Sequence, residues 1–223
     1  MINPEKAKTN FRLACEQYNN ARALIKEMAS FVQVAQKDFS YETAMRQFDL
    51  ILQSVLLRTA AEDGHFLDEE KQFIEKITDY ADLMSFVSKK HNISVTWDSF
   101  AALSNEDRKD ISLKIFVELD DLVDNFVLPF AVVDAILPKD YCEELTKAMT
   151  LIGACLAGCD GDDTDSSDFK NEMIVVFALI QKSIKEKWST IAAKASRESS
   201  SSTEVKSGNR SSSLKDIYLK KNR

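Results

Sequence analysis

Four carboxylates crowd the six residues Asp160-Gly161-Asp162-Asp163-Thr164-Asp165. Side chains that close together can converge on a hard cation such as calcium or magnesium. The run is not an EF-hand loop, because its sixth and twelfth positions are Asp165 and Asn171 where that loop needs Gly and Glu. The same Asp/Ser series, continued by Ser166-Ser167-Asp168, is also what a helix cap contains. A second acidic group, Glu118, Asp120, Asp121 and Asp124, places Asp120 and Asp124 one helical turn apart. Like charges at that spacing repel by a few tenths of a kcal/mol, which a cation or a basic partner would relieve, though a solvated helix face explains them better.

Softer chemistry has less to build on. Cys155 and Cys159 lie one turn apart and could join His65 or His91 on zinc, but the paired short Cys and His spacings of a zinc site are missing. Buried small apolar residues are the better explanation of the two thiols. Neither histidine sits in a motif with Ser or Cys, and no Gly-rich phosphate loop is present. The expectation is a protein that is not an enzyme, the alternative being a metal-dependent hydrolase drawing carboxylates from two acidic turns.

Those turns are set by helices. Leu56 to Ala61, apolar but for Arg58 and Thr59, runs into Glu62-Asp63-Gly64, after which Asp68-Glu69-Glu70 opens another helix. Ninety-seven positions later Ala157, Asp160, Gly161 and Asp165 repeat Ala60, Asp63, Gly64 and Asp68. Two of only five glycines thus occupy equivalent turns. Gly allows φ > 0 where a helix stops, and an acid can cap the next.

The rest of the chain reads as helix. Pro4-Glu5 opens a first one of about 30 residues whose apolar stripe includes Phe11, Leu13, Ala14, Tyr18, Ala21, Ile25, Met28 and Val32. Asp38 and Ser40 break it, and Tyr41 to Ala61 predicts a deeply buried second helix. Asp68 is expected to cap a third. A piece from Leu83 to Lys90 follows, then an extended connector at Ile93 to Trp97 and a helical turn to Leu103. Ser104 or Asn105 caps a long helix that Pro129 should kink or end. Pro138 starts another through Cys159, and Ser166 to Trp188 makes the last. With three Pro in 223 residues, long helices are favoured over strands. The fold class expected is all-α.

The stretch Ala60-Ala61-Glu62-Asp63-Gly64, followed by two apolar residues and Asp68-Glu69-Glu70, resembles the signature of TerB-like domains, an all-helical family associated with tellurite resistance and stress. The second copy, Ala154 to Phe169, keeps Ala-Gly-Cys-Asp-Gly but has Asp162-Asp163-Thr164 where apolar residues are expected. The resemblance covers roughly Phe48 to Ile184. It implies a bundle of two related helical halves and an adaptor or metal-responsive role without a common catalysis. Matching positions here are Asp63, Gly64, Asp68 and Glu69, then Asp160, Gly161 and Asp165. On this reading a divalent cation, calcium or magnesium, is held by Asp63, Asp68 and Glu69 together with Asp160, Asp162 and Asp165.

Charge divides the chain. From Lys194 onward eight Lys/Arg face three acids, a local +5 that leaves −12 for the remainder of a chain whose total is −7. An acidic body speaks against nucleic acid, whose phosphates need clustered Lys and Arg. Residues 1–195 are expected to form one helical domain, and residues 196–223 a disordered, Ser-rich basic tail, because Ser196 to Ser213 has almost nothing apolar to offset its ordering entropy. Leu214 to Lys221 could form two helical turns against a surface, so a protein partner is expected, engaged through the tail. Four cysteines without a disulfide spacing, an opening Met-Ile-Asn-Pro-Glu-Lys with no apolar core, and no apolar run long enough to span a bilayer predict a cytoplasmic interaction or stress-response module.

Overall fold

Helix packs on helix throughout the computed structural model, which describes residues 4–37, 39–61, 66–136, 140–159, 186, 188–190, 193–194 and 197. Its described elements are α1 (Pro4–Ala35), α2 (Tyr41–Ala60), α3 (Asp68–Lys76), α4 (Leu83–His91), α5 (Trp97–Ala101), α6 (Asn105–Glu118), α7 (Asp120–Ile136) and α8 (Tyr141–Leu156). The two Asp-Gly turns, most of the helix expected after the second, and residues 198–223 of the tail lie outside the described residues.

α2 is the central rod. Its buried set includes Met45, Phe48, Ile51, Leu52, Val55, Leu56 and Leu57, so apolar contact runs around most of the helix and neighbours must cover it on several sides. α1, α3, α4, α6, α7 and α8 all touch it. Along α1, Ala14, Tyr18, Ala21, Ile25, Met28 and Val32 are buried at three- and four-residue steps, and this stripe packs mainly on α8. Leu13 departs from the expected stripe and faces solvent. Aromatic edges lock the core at Phe48, Phe126 and Phe130, whose rings follow one another at 6.1 and 4.9 Å.

Caps fix most helix starts. Ser40 Oγ accepts from the Thr43 N–H at 3.0 Å, Asp82 from Ser85 at 2.6 Å, Ser104 from Asp107 at 3.2 Å and Asp140 from Glu143 at 3.0 Å. The connector over Ile93 to Thr96 carries no regular structure, bends back at Ile93 and is extended at Thr96, which caps α5. Asn92, at φ 52°, stops α4 in the left-handed conformation that Asn tolerates.

Two expectations are corrected. Asp68 does not cap α3. Leu67 holds the cap position, and Glu70 reaches back to accept the Leu67 N–H at 2.9 Å, leaving Asp68 as the first helical residue. Nor does Pro129 end its helix. The long helix instead breaks at Leu119, where the Leu119 N–H turns tightly to the Phe116 carbonyl at 3.2 Å, and Pro129 sits inside α7. The break is supported on both sides: Lys90 Nζ donates to the Glu118 carbonyl at 3.3 Å, and Asp120-Asp121 supply the negative first turn that a new helix prefers.

Candidate functional site

Of the six cation-ligand candidates, Asp63, Asp160, Asp162 and Asp165 lie outside the described residues. Asp68 and Glu69 are exposed on the first turn of α3. Asp68 stands 3.9 Å from Lys71 Nζ, whose nearer partner is Asp98 at 2.6 Å. Glu69 lines a groove of about 250 Å³ with Lys8, Phe11, Phe73, Lys76 and Cys159. Cys159 immediately precedes the second Asp-Gly turn, so the flanks of the two acidic motifs share a groove although most of the chain between them lies elsewhere. Gly158 makes that approach feasible: Asn10 Nδ2 donates to its carbonyl at 2.7 Å, and a Cβ at this position would collide with the same amide nitrogen. Among the described residues no group of three or more His, Cys, Asp or Glu is placed to hold a metal ion. His91 joins Glu118 at 2.6 Å, whereas Cys155 lies on α8 and Cys159 in the turn that follows it.

A polar knot emerges where the sequence shows an apolar helix. Asp49 and Gln53 sit one turn apart on α2, both buried. Asp49 Oδ1 accepts from the Tyr18 hydroxyl at 2.7 Å, and Oδ2 accepts from the N–H groups of Tyr80 and Ala81 at 2.6 and 3.2 Å. Gln53 accepts the Leu83 N–H at 2.7 Å and donates to Thr78 and the Ala81 carbonyl. Together they pin the turn between α3 and α4 to the central rod. Burial pushes the Asp49 carboxyl up to about 6 despite the hydrogen bonds that oppose it, and pushes the Tyr18 phenol up as well. Arg22 closes the outer side, donating to Asp79 at 3.0 Å and to the Tyr80 hydroxyl at 3.2 Å. Asp134 does similar work on α7, accepting the Tyr141 and Cys142 N–H groups at 2.9 and 3.0 Å and Trp188 Nε1 at 2.9 Å. The only signal in the sequence was a charge set inside an apolar stripe, as at Phe48-Asp49-Leu50. Acceptors this fully occupied by backbone donors hold a fold together; they do not reach toward a substrate.

The α1–α2 corner and α7 enclose an open cleft of about 570 Å³. Val32, Phe39, Leu128, Pro129, Val132 and Val133 give it an apolar wall, and Gln36, Gln47 and Asn125 edge it. Its volume falls in the range of ligand pockets, roughly 300–1,000 Å³. Leu128 is 53% exposed, an apolar side chain held in water beside further apolar surface. Phe39 is fixed from behind by an edge-to-face contact with Phe130 at 5.8 Å, and its carbonyl accepts from Gln33 Nε2 at 2.8 Å. Pro129 has no N–H to give the Asn125 carbonyl one turn back, so that carbonyl lacks its usual i+4 donor. Asp121 and Asp124 are exposed one turn before Asn125 and Leu128 on the same stripe of α7, giving the apolar wall an acidic end. The sequence shows Pro129 only as a disturbance of a helix and not the cleft, which exists because the α1–α2 corner comes to lie against α7.

Comparison with family models, with curated proteins and with solved structures returned no match.

Proposed function

We propose that this protein is a non-catalytic docking module that takes a basic amphipathic helix of a protein partner into the cleft between the α1–α2 corner and α7. The observation that carries the reading is the exposed Leu128, set among Phe39, Pro129 and Val132 with Asp121 and Asp124 at one end. A helix lays an apolar row into such a groove, and cations at one end of that helix answer the acids. The acidic body supports a basic partner, and the resemblance of Ala60 to Glu70 to TerB-like domains supports a cytoplasmic, stress-associated adaptor.

The test is a fluorescently labelled helix of about 14 residues, with Leu at the i, i+3, i+4 and i+7 positions and Lys at its C-terminal end, titrated against the chain by anisotropy. Binding should weaken as salt rises, and Leu128→Glu should weaken it at least about tenfold. Equal binding by parent and Leu128→Glu removes the cleft from the account.

A second reading rests on the groove shared by Glu69 and Cys159, which brings the flanks of the two Asp-Gly turns together. In it a divalent cation binds between the turns, with Asp63, Asp68, Glu69, Asp160, Asp162 and Asp165 as its ligand pool. Calcium or magnesium then raises the melting midpoint more than sodium chloride at matched ionic strength, and Asp160→Asn with Asp162→Asn abolishes the difference. A midpoint equally responsive to sodium contradicts it.

A further inference from the structure

Resting on the cleft reading above, we infer that the chain's own C-terminal segment, Leu214 to Lys221, occupies the α1–α2/α7 cleft in cis and competes there with a partner helix. Three observations lead to this occupant. The segment has the pattern the cleft requires: Leu214, Ile217 and Tyr218 recur at i, i+3 and i+4, and Lys220, Lys221 and Arg223 follow. Its charge opposes that of the body and, more locally, of Asp121 and Asp124 beside Leu128. The chain also arrives at the right place. Trp188 is buried against Phe130, their rings stacked at 6.3 Å, and its Nε1 donates to Asp134 on α7. Phe130 also buttresses Phe39 of the cleft wall, so Trp188, 26 residues before Leu214, is anchored directly behind the cleft.

Reach is sufficient. The 16 residues 198–213 separate Arg197 from Leu214 and are almost entirely polar. Sixteen residues reach at most roughly 50 Å when fully extended, enough to turn round the edge of α7. Tethering over such a span gives an effective concentration on the order of a millimolar, so two turns of helix with modest intrinsic affinity compete against a dilute partner. The tail thus makes cleft access conditional: a partner helix must displace it, and anything that holds Leu214 to Lys221 elsewhere opens the cleft.

The experiment uses the full chain with Tyr218 replaced by photoreactive p-benzoylphenylalanine, mixed as light and heavy isotope preparations, irradiated and mapped by mass spectrometry. Cross-links within one chain to the stretch 125–133 or to 32–43 are expected, with yield falling at least about fivefold in Leu128→Glu. In parallel, the labelled Leu/Lys helix is titrated into the full chain carrying Ile217→Asp and Tyr218→Asp, which should bind it at least about fivefold more tightly than the parent does. Cross-links between light and heavy chains, cross-links confined to other surfaces, or unchanged helix affinity overturn the cis docking. If the helix still binds the parent in those cases, the cleft reading stands without its own tail. A helix that binds neither the parent nor the Ile217→Asp, Tyr218→Asp chain overturns both.

Discussion

The knot around Asp49 and the cleft at Leu128 lie on two sides of the same bundle and solve opposite problems. At Asp49 a charge is buried completely, and every acceptor it offers is taken by a hydroxyl or a backbone N–H of the fold. At Leu128 an apolar side chain is left half in water beside Phe39 and Pro129, with nothing of the described chain covering it. The first arrangement stabilises the molecule and has no capacity left for a ligand. The second contributes little to stability and leaves surface that a partner can bury. Polarity alone would have assigned the roles the other way round; satisfaction and exposure decide them.

The largest effect should come from the knot. Asp49→Leu strands two backbone N–H groups and the Tyr18 hydroxyl, and should lower the unfolding free energy by roughly 3 kcal/mol in urea denaturation. A loss below about 1 kcal/mol would mean that the turn between α3 and α4 is held by something else. The same carboxyl gives a pH signature. Its folded value, about 6, lies above the ordinary 3.8, so between those values the native state holds the proton more firmly than the unfolded chain does. The contribution of Asp49 is therefore greatest below pH 4 and declines as pH rises through 6. Measured as the difference between parent and Asp49→Asn, stability should fall by roughly 1–3 kcal/mol across that window. A difference that stays flat would sink the argument from burial.

Next in size is the close approach of α1 to the end of α8. Gly158→Ala pushes aside the end of the Asn10 side chain and breaks its bond to the Gly158 carbonyl, which should cost about 1 kcal/mol, a penalty that should vanish in an Asn10→Ala background where that bond is already gone. Additive losses would place the collision elsewhere.

How far these features were legible in the sequence follows from their range. The α1 stripe, the connector before α5 and the Ser104 cap depend on neighbours within a few residues, and periodicity or a single hydroxyl announces them; Ser40, read only as a break, turns out to cap α2. The break at Leu119 does not show, because it is stabilised by Lys90 from another helix, while Pro129, the louder local signal, is accommodated inside α7. Asp68 looked like a cap because its type and place suit one, yet Glu70 supplies the bond from three residues inside. The partner of Asp49 is 31 residues away at Tyr18 and Tyr80 alike, so the sequence shows only the anomaly of a charge among apolar neighbours. The cleft is less legible still, since its walls come from positions 32–47 and 125–133 and its meaning depends on what fails to cover Leu128.

The smallest effect on stability should be the most informative one for function. Leu128→Glu, on a half-exposed site, should change the unfolding free energy by no more than about 0.5 kcal/mol. Amide chemical-shift mapping of the labelled chain against the basic amphipathic helix then tests the central claim most directly. The account predicts shifts gathered at Phe39, Thr43, Asn125, Leu128 and Val132 and lost in Leu128→Glu; shifts gathered at Glu69 and Cys159 instead, or unchanged by that substitution, would contradict it.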